Sequence, residues 1–468
     1  MVRFTAVATA VLAAILPLAS ADQAKYAPES PPSSKPHHIH HHQLVDPKAR
    51  PARSKSTTAE RAAVVNAASG SASLQTSATL PPSVSSDIAT ITSGLPATTP
   101  TYSLPATFRP GQQNTFIKNA PALPDPMAAR PIDFPELDKV PPTNSPQAQI
   151  WLQQYASQLA QAPKIPQTTD QAACSSNQEN LANAAANHWW TCGGYTANDD
   201  ITTCPDKNTW GVSYDDGPSP YTPKLIDYFE KHGDIKSTFF IVGSRAISRP
   251  DILQYEYMKG HQLSVHTWSH TALTTQSNEQ ILLELAWTKE VIRKITGVTP
   301  NTMRPPYGDI DDRVRYICKL LNLTPIIWTS LSSSQNFDTN DWKIQSGMVS
   351  TASVVSTFES ILQTAPSLPT GYIVLAHDLY QQSVDLAVSV VLPMAQAMNP
   401  AQKLMPIITC LKKPLGDAYV ETNRNLSSDT SSGSSGSSEG TRSAAFHQLA
   451  VPLLILFGSI CLGAAILV

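Results

Sequence analysis

The sequence contains little charge, and neither sign dominates. Charged residues make up only 15% of the 468-residue chain, and 33 Lys and Arg nearly balance 36 Asp and Glu, which leaves a net charge of −3. The sequence has no basic block of the kind that contacts nucleic-acid phosphates. The composition therefore argues against a nucleic-acid-binding protein and indicates no obligate protein partner.

Long apolar runs are also scarce, and the first of them is too short to span a membrane comfortably. Arg3 precedes an apolar run at residues 4–18, which is followed by the sequence ASA. A transmembrane helix needs about 20 apolar residues. A charged start, a short apolar segment and an A-x-A site instead indicate a secretory signal peptide over residues 1–21.

The second long apolar run covers residues 449–468. It follows a stretch rich in Ser and Gly at residues 427–440 and a polar segment that extends to Gln448. Small residues, a polar spacer and an apolar tail without a basic cluster are typical of a GPI-attachment signal. We therefore expect attachment at Gly436 or a neighbouring Ser and removal of the tail; a tail-anchored helix is the alternative.

Apolar periodicity is missing from residues 22–147, which are rich in Pro, Ser, Thr and Ala. Such a segment buries too little apolar surface to offset the entropy of ordering, so the composition predicts a disordered, O-glycosylated stalk. The other predicted regions are an N-terminal extension that packs on the main domain (148–208), the main domain (209–412), a Ser/Gly-rich linker with the GPI site (413–440) and a removed propeptide (441–468).

The main domain alternates between strand patterns and helical patterns. The predicted strands are residues 210–214, 237–242, 262–265, 325–328, 372–376 and 406–409. One helix is predicted from Ser277, which forms a capping box with Gln280, to Gly297; others cover residues 221–231 and begin after Asp309. Strand–helix alternation predicts an α/β fold with parallel strands, arranged as a barrel or an open sheet.

Cysteine is scarce too, with six in the chain, one of them in the predicted tail. Cys318 lies on an apolar helical stripe, where we expect a buried free thiol. The remaining four suit two disulfides in an oxidising compartment. We expect Cys192 to pair with Cys204, and Cys174 with Cys410, since the second bridge would clasp the ends of the folded domain. Spacing alone leaves the other pairings open.

Residues that could carry chemistry follow the ends of the predicted strands. Asp215 and Asp216 end the first strand, His266 ends the third, Arg304 follows a short extended run, and His377 ends a later strand. The carboxyl ends of parallel strands meet on one face, where α/β folds build their active sites. We therefore expect these side chains to share one site.

Two histidines and one carboxylate could bind a metal at this face. His266 and His270 are four residues apart, so a turn of backbone can aim both rings at one point, and Asp216 is the third candidate ligand. The adjacent Asp215 and Asp216 would repel one another unless a cation lies close. Asp215 is then a candidate general base. Taken singly, the histidine pair also suits a surface or core role, and the Asp pair suits a turn.

Five motifs of the main domain occur in the order seen in one enzyme family. They are YDDGP at residues 214–218, HTWSH at 266–270, RPPYG at 304–308, DW at 341–342 and LAHD at 375–378. With them the chain resembles the polysaccharide deacetylases with a NodB-type domain, and most of all the GPI-anchored chitin deacetylases of fungi. The resemblance implies a distorted (β/α) barrel and a divalent metal, zinc with cobalt as the alternative, in a groove open to a polymer.

The resemblance also implies catalytic roles. The metal would be held by Asp216, His266 and His270. Asp215 would be the general base, oriented by Arg304 through a charge-assisted hydrogen bond. Amide hydrolysis needs an activated water, an oxyanion stabiliser and a proton donor for nitrogen, and these residues supply the first of the three.

The other two requirements fall to later motifs. The backbone N–H of Tyr307 would help to stabilise the oxyanion, and His377, tuned by Asp341, would protonate the leaving amine. Leu375 would form a small pocket for the acetyl methyl group, together with Trp342 or with Trp328 as its aromatic neighbour.

Together these expectations describe a secreted hydrolase that is anchored by GPI to the outer face of the plasma membrane or retained in the cell wall. It would remove N-acetyl groups from N-acetylglucosamine units of chitin and leave chitosan and acetate. The alternatives are a deacetylase or esterase for another acetylated polysaccharide and a non-catalytic wall-binding protein. Asn322 and Asn425 fit the N-glycosylation rule, as expected for a secreted chain.

Overall fold

Short parallel strands form the centre of the fold. The computed structural model describes Ile91, residues 103–332 and residues 335–423 of the chain. Within these residues the strands are β1 (Thr209–Gly211), β2 (Ser213–Asp215), β3 (Thr238–Ile241), β4 (Gln262–Val265), β5 (Thr302–Met303), β6 (Thr324–Pro325), β7 (Ser330–Ser332), β8 (Gln335–Asn336), β9 (Tyr372–Ile373) and β10 (Lys403–Met405). Strands β7 and β8 form an antiparallel pair, and the other strand pairs are parallel.

The parallel strands form a distorted barrel. One sheet has the order β2-β3-β4-β5-β6 and the other the order β10-β1-β9. Only Val212 separates β1 from β2, so one extended segment takes part in both sheets. Two further contacts join the sheets: Asp215 forms a parallel bridge with His377, and the Thr329 N–H donates to the Ile373 carbonyl at 3.0 Å. Of the two predicted arrangements, the barrel is confirmed.

Helices pack around these strands. Among the described residues they are α1 (Pro146–Leu159), α2 (Gln178–Ala182), α3 (Thr222–Lys231), α4 (Gly243–Ser248), α5 (Pro250–Met258), α6 (Asn278–Thr296), α7 (Asp312–Leu320), α8 (Thr351–Thr364), α9 (Gln381–Leu386), α10 (Leu392–Gln396) and α11 (Ile407–Cys410). Helix α6 has the predicted limits, with Ser277 and Gln280 in a capping box and Gly297 in the left-handed C-cap conformation at φ 84°. Strands β2, β3 and β4 are buried along their whole length, so the residues at their carboxyl ends lie in a buried environment.

The predicted strand at residues 406–409 is wrong. The strand is β10, which ends at Met405, and α11 begins directly after Pro406. Proline has no N–H to donate to a neighbouring strand. The next N–H, from Ile407, donates to Thr238 Oγ1 at 2.9 Å instead of to a strand. The apolar run therefore reaches the core as a helical turn.

The chain joins the folded domain well before residue 148. Residues 103–147, which their composition assigns to the stalk, pack on the domain as an N-terminal arm, with Ile117 and Leu123 buried in the main core. These contacts come from isolated apolar side chains on an aperiodic backbone, so apolar periodicity does not reveal them. Apart from Ile91, the predicted stalk before residue 103 lies outside the described residues.

The main domain also continues past its predicted end at residue 412. Ala418 and Tyr419 are fully buried, and the Val420 N–H donates to the Thr299 carbonyl at 2.9 Å. The first part of the predicted linker therefore belongs to the domain. This segment contains one short 3-10 turn and no long helix, so it lacks a periodic pattern that would separate it from the Ser/Gly-rich sequence that follows.

The disulfide pairing differs from the expected one. Cys174 pairs with Cys192, and Cys204 pairs with Cys410, at Cα–Cα distances of 5.7 and 5.4 Å. Cys204 precedes β1, and Cys410 ends the helix that follows β10. Because β1 and β10 are paired, the sheet brings these two cysteines together. Cys204, and not Cys174, therefore clasps the ends of the domain, while Cys318 is a buried free cysteine as predicted.

Several predicted features fall outside the described residues, namely the signal peptide, Asn425, the attachment site at Gly436 and the apolar tail. The other candidate for glycosylation, Asn322, is exposed in the turn after α7. Within the part of the chain that the structure describes, no helix combines the length and the apolar character needed to cross a bilayer.

Candidate functional site

Four parallel strand ends bring polar residues to one face of the barrel. Asp215 is the last residue of β2, His266 follows β4, and Arg304 follows β5. His377 lies beyond the end of β9, and its backbone forms a parallel β-bridge with Asp215. The structure thus places together the residues that their positions after parallel strands predict to share a site.

Asp216, His266 and His270 form a candidate metal centre. One potential ligand atom from each residue lies within 4.8 Å of the other two. Asp216 Oδ1 is 3.0 Å from His270 Nε2 and 3.5 Å from His266 Nε2. Two imidazole nitrogens and one carboxylate oxygen form a common donor set for catalytic zinc and leave positions open for water and substrate.

The surroundings orient both imidazoles. His266 Nδ1 lies 2.7 Å from the Arg304 carbonyl oxygen, and because a carbonyl can only accept, Nδ1–H is the donor. This tautomer leaves the lone pair on Nε2, the atom that faces Asp216, as is usual for a metal-ligating histidine. The backbone N–H of His270 donates to Thr267 Oγ1 at 3.1 Å, which holds the second ligand at the end of its loop.

The Asp216 carboxylate is arranged to face a cation. Its Oδ1 atom is buried and accepts no well-aligned hydrogen bond. A buried, ionised oxygen without a hydrogen bond is costly unless a positive charge compensates it, so the donor set fits a divalent metal.

Arg245 is a part of this site that is not among the predicted residues. Its Nη1 atom donates to the Asp216 carbonyl oxygen at 2.7 Å and lies 3.5 Å from Asp216 Oδ1. Arg245 lies on α4, directly after β3, which also ends at the site face. Its position after a strand end is therefore the signal that could have indicated it.

Asp215 lies beside the candidate ligands. Arg304 Nη1 donates to Asp215 Oδ1 at 2.6 Å, while Asp215 Oδ2 lies 3.8 Å from His266 Nε2. The Arg304 side chain is fully buried, with its guanidinium carbon 4.0 Å from the centre of the Phe240 ring. The charge-assisted hydrogen bond fixes one carboxylate oxygen and keeps the other on the side of the metal centre.

His377 and Asp341 form a buried ion pair at the same face. Asp341 Oδ1 lies 2.6 Å from His377 Nδ1, and Asp341 Oδ2 accepts the His377 backbone N–H at 2.9 Å. Burial lowers the pKa of His377, but the charge and hydrogen bond of Asp341 outweigh it and raise the pKa to about 10. At neutral pH the ring is therefore an imidazolium that can donate its Nε2 proton on the side away from Asp341.

Tyr307 lies next to the second candidate histidine ligand. The ring centres of Tyr307 and His270 are 4.8 Å apart in an edge-to-face arrangement. Tyr307 has a left-handed backbone conformation, φ 60°, which is unusual for a residue other than glycine. Its side chain is 56% exposed although its neighbours are buried, so the ring forms part of the open surface beside the site.

The two tryptophans considered for the acetyl pocket differ in burial. Trp328 is only 3% exposed and packs edge-to-face on Trp190, beneath Gly308, where an added Cβ would lie 2.9 Å from the Trp328 ring. Trp342 is half-buried, and Leu375 is buried in the strand segment that precedes His377. Trp342 is thus the indole with surface free to contact a ligand.

Comparison with known proteins finds one family model, two related proteins and one solved structure that are similar to this chain. The family model described as polysaccharide deacetylase matches residues 202–326. Chitin deacetylase 1 of Cryptococcus neoformans var. grubii is 51% identical over 351 residues, which are 74% of this chain and 72% of that protein. The chitin deacetylase of Amylomyces rouxii is 34% identical over 247 residues, 50% of this chain and 55% of that protein. The solved structure of the chitin deacetylase of Colletotrichum lindemuthianum is 26% identical in sequence, with a TM-score of 0.42. The match covers 47% of this chain and 95% of that chain.

Proposed function

This chain belongs to the chitin deacetylase family of polysaccharide deacetylases, and we propose that it hydrolyses N-acetyl groups of N-acetylglucosamine units in chitin. The products are acetate and chitosan. The observation that carries this proposal is the meeting, at one barrel face, of a metal-type donor set, the Arg304-oriented carboxylate of Asp215 and the His377–Asp341 pair. Together they match what the hydrolysis of an unactivated amide requires.

The first requirement is an activated water. Asp216, His266 and His270 would hold a divalent ion, which when bound supplies Lewis-acid activation of the water and of the acetyl carbonyl. Asp215 accepts a proton from the attacking water. Arg304 keeps Asp215 oriented because it donates a charge-assisted hydrogen bond to one carboxylate oxygen in a buried setting.

The second and third requirements concern the oxyanion and the leaving group. The Tyr307 backbone N–H would donate to the oxyanion that forms on the former carbonyl oxygen. His377 would donate its Nε2 proton to the amide nitrogen, since an amine leaves far more readily than an amide anion. Asp341 keeps this proton on the ring, and Leu375 with Trp342 would enclose the acetyl methyl group.

Zinc is the metal that we propose, with cobalt as a functional substitute. The site offers two imidazole nitrogens and one carboxylate, a donor set typical of catalytic zinc with open positions. Magnesium and calcium prefer sites made of oxygen ligands, so the nitrogen-rich set favours zinc over either of them.

We also propose that the enzyme acts outside the cell, anchored by GPI to the plasma membrane or retained in the wall. The support is the pattern of the sequence at residues 1–21 and 427–468, together with two disulfides of the kind that form in oxidising compartments. Release of the protein from intact cells by a phosphatidylinositol-specific phospholipase tests the anchor. If the protein stays on the cells after complete lipase treatment and only detergent extracts it, the GPI anchor is contradicted.

The test of the activity is acetate release from soluble chitin oligomers by the purified full chain. We expect a chelator to abolish release and added zinc to restore it, because Asp215 and His377 alone do not activate the carbonyl. The Asp215→Asn variant controls for metal loss, since it should keep zinc and lose activity. Acetate release from acetyl-xylan but not from chitin oligomers would favour another polysaccharide. Binding of chitin without acetate release, at full zinc occupancy, would favour a wall-binding protein.

A further inference from the structure

The loop between the two candidate histidine ligands has an unusual backbone. Residues 267–269 connect His266 to His270, and both Thr267 and His270 are left-handed, with φ of 66° and 58°. This conformation is rare for a branched residue such as threonine, because its side chain crowds the backbone there. The loop therefore keeps its shape only if contacts outside it determine that shape.

Glu284 makes the closest of these outside contacts. Its Oε2 atom accepts the backbone N–H groups of Trp268 and Ser269 at 2.7 and 2.9 Å, and the Ser269 hydroxyl donates to Oε1. Glu284 lies within α6 and is fully buried. One side chain on a long, well-capped helix thus accepts two consecutive N–H groups of the loop at one oxygen and the Ser269 hydroxyl at the other.

The loop carbonyls are held from another side. The Gly243 N–H donates to the Thr267 carbonyl at 2.9 Å, and the Ser244 N–H donates to the Trp268 carbonyl at 3.2 Å. Gly243 approaches so closely that an added Cβ would lie 2.6 Å from Trp268 Cε3. Both the donors and the acceptors of the loop are thus bound to the scaffold, and Glu284 supplies the only acceptor described for the two consecutive N–H groups.

The N-terminal arm covers the side chain in the middle of the loop. Phe134 stacks on Trp268 at 5.9 Å between ring centres, and the Trp268 Nε1–H donates to the Glu136 carbonyl at 2.9 Å. The same Phe134 packs edge-to-face on Trp287 of α6. The loop therefore lies between α6 and the arm, away from the open face of the site.

We propose that Glu284 is a positioning residue of the metal centre: its carboxylate holds the loop that sets the distance and direction between His266 and His270. The proposal rests on the metal centre put forward above. Glu284 contacts neither ligand side chain, so it acts through backbone N–H groups. Groups that orient ligands in this way typically change metal affinity by 10- to 100-fold when they are replaced.

Zinc affinity of the full chain is the first measurement. The variants are Glu284→Gln, which keeps the size but replaces one acceptor oxygen with an NH₂ donor, and Glu284→Ala, which loses both acceptors. Ile292→Val, a buried conservative change on the same helix, is the control for helix packing. We expect zinc to bind about 10- to 100-fold more weakly to Glu284→Ala, less so to Glu284→Gln, and equally well to wild type and Ile292→Val. A competition titration with a chromophoric chelator measures these constants.

Two further readouts separate positioning from loss of folding. With cobalt bound, the visible spectrum of Glu284→Gln should shift or weaken because the angle between the imidazoles changes, while Ile292→Val keeps the wild-type spectrum. At saturating zinc the KM for chitin oligomers should stay unchanged and kcat should fall. Wild-type zinc affinity and an unchanged cobalt spectrum in both Glu284 variants would overturn the positioning role of Glu284 but leave the metal centre in place. Failure of the wild type to bind zinc would instead overturn the metal centre.

Discussion

The replacement Asp341→Asn tests the proton donor, because it removes the charge that holds the proton on His377. In the wild type the pKa of His377 is about 10, although burial alone would lower it. A free histidine has a pKa of about 6.5. In Asp341→Asn burial still lowers the pKa of His377 while the charges of Asp216 and Asp215 still raise it, so we take about 6.5 as the reference value. At pH 8 the protonated fraction would then fall from about 99% to about 3%, a loss of about 30-fold in the acid form.

The sign of the effect is set by the role of the group. A general acid is active below its pKa, so activity is lost as pH rises through that value. The alkaline limb of kcat/KM should therefore move from about pH 10 in the wild type to about pH 6.5 in Asp341→Asn. At pH 5.5, where the ring of the variant is still mostly protonated, the remaining loss reports orientation of the ring, since Asp341 also accepts the His377 backbone N–H.

The assay is acetate release from chitin oligomers between pH 5 and pH 10 at saturating zinc. Asp385→Asn is the matched control, because Asp385 pairs with Lys224 on the outside of the site and should leave the profile unchanged. An alkaline limb that stays in place in zinc-loaded Asp341→Asn would refute the assignment of His377 as the acid held protonated by Asp341.

Three other changes test the base, the loop and the disulfides. Asp215→Asn should lower kcat by about 10²- to 10⁴-fold at unchanged zinc content, measured by metal analysis; comparable activity would exclude Asp215 as the base. Gly243→Ala should lower the melting temperature and weaken zinc binding, because overpacking against Trp268 costs about 1–3 kcal/mol; wild-type values of both would show that the loop is not confined there. Replacing the Cys204–Cys410 pair by serines should destabilise the protein by roughly 5 kcal/mol in denaturant titrations, against roughly 3 kcal/mol for the Cys174–Cys192 pair, because their sequence separations are 206 and 18. Equal losses would contradict the chain-entropy argument.

Local signals explain which parts of the site could be predicted. Asp215, His266 and Arg304 each follow a short apolar strand in the sequence, and parallel strands bring their carboxyl ends together whatever the order of the strands. The capping box at Ser277 is likewise complete within four residues. These features need no information from distant parts of the chain, and the structure shows them where the sequence predicts them.

The features that could not be predicted depend on non-local contacts. The partner of Cys204 follows from the pairing of β1 with β10, two strands that lie almost 200 residues apart. The turn at α11 depends on Thr238 of β3, which accepts the first N–H after Pro406. In both cases the sequence near the residue allows more than one arrangement, and the sheet order selects one.

The N-terminal arm and Glu284 show the same limit at the active site. Phe134 lies in a Pro-rich segment without periodicity, and Glu284 is one carboxylate within a helix whose pattern gives no reason to bury it. Each becomes informative only when Trp268 and Ser269 are placed beside it. The groups that would carry out the chemistry are thus recognisable by type and position after a strand. The residues that hold these groups in place cannot be recognised by type, because their role depends on which backbone atoms they contact.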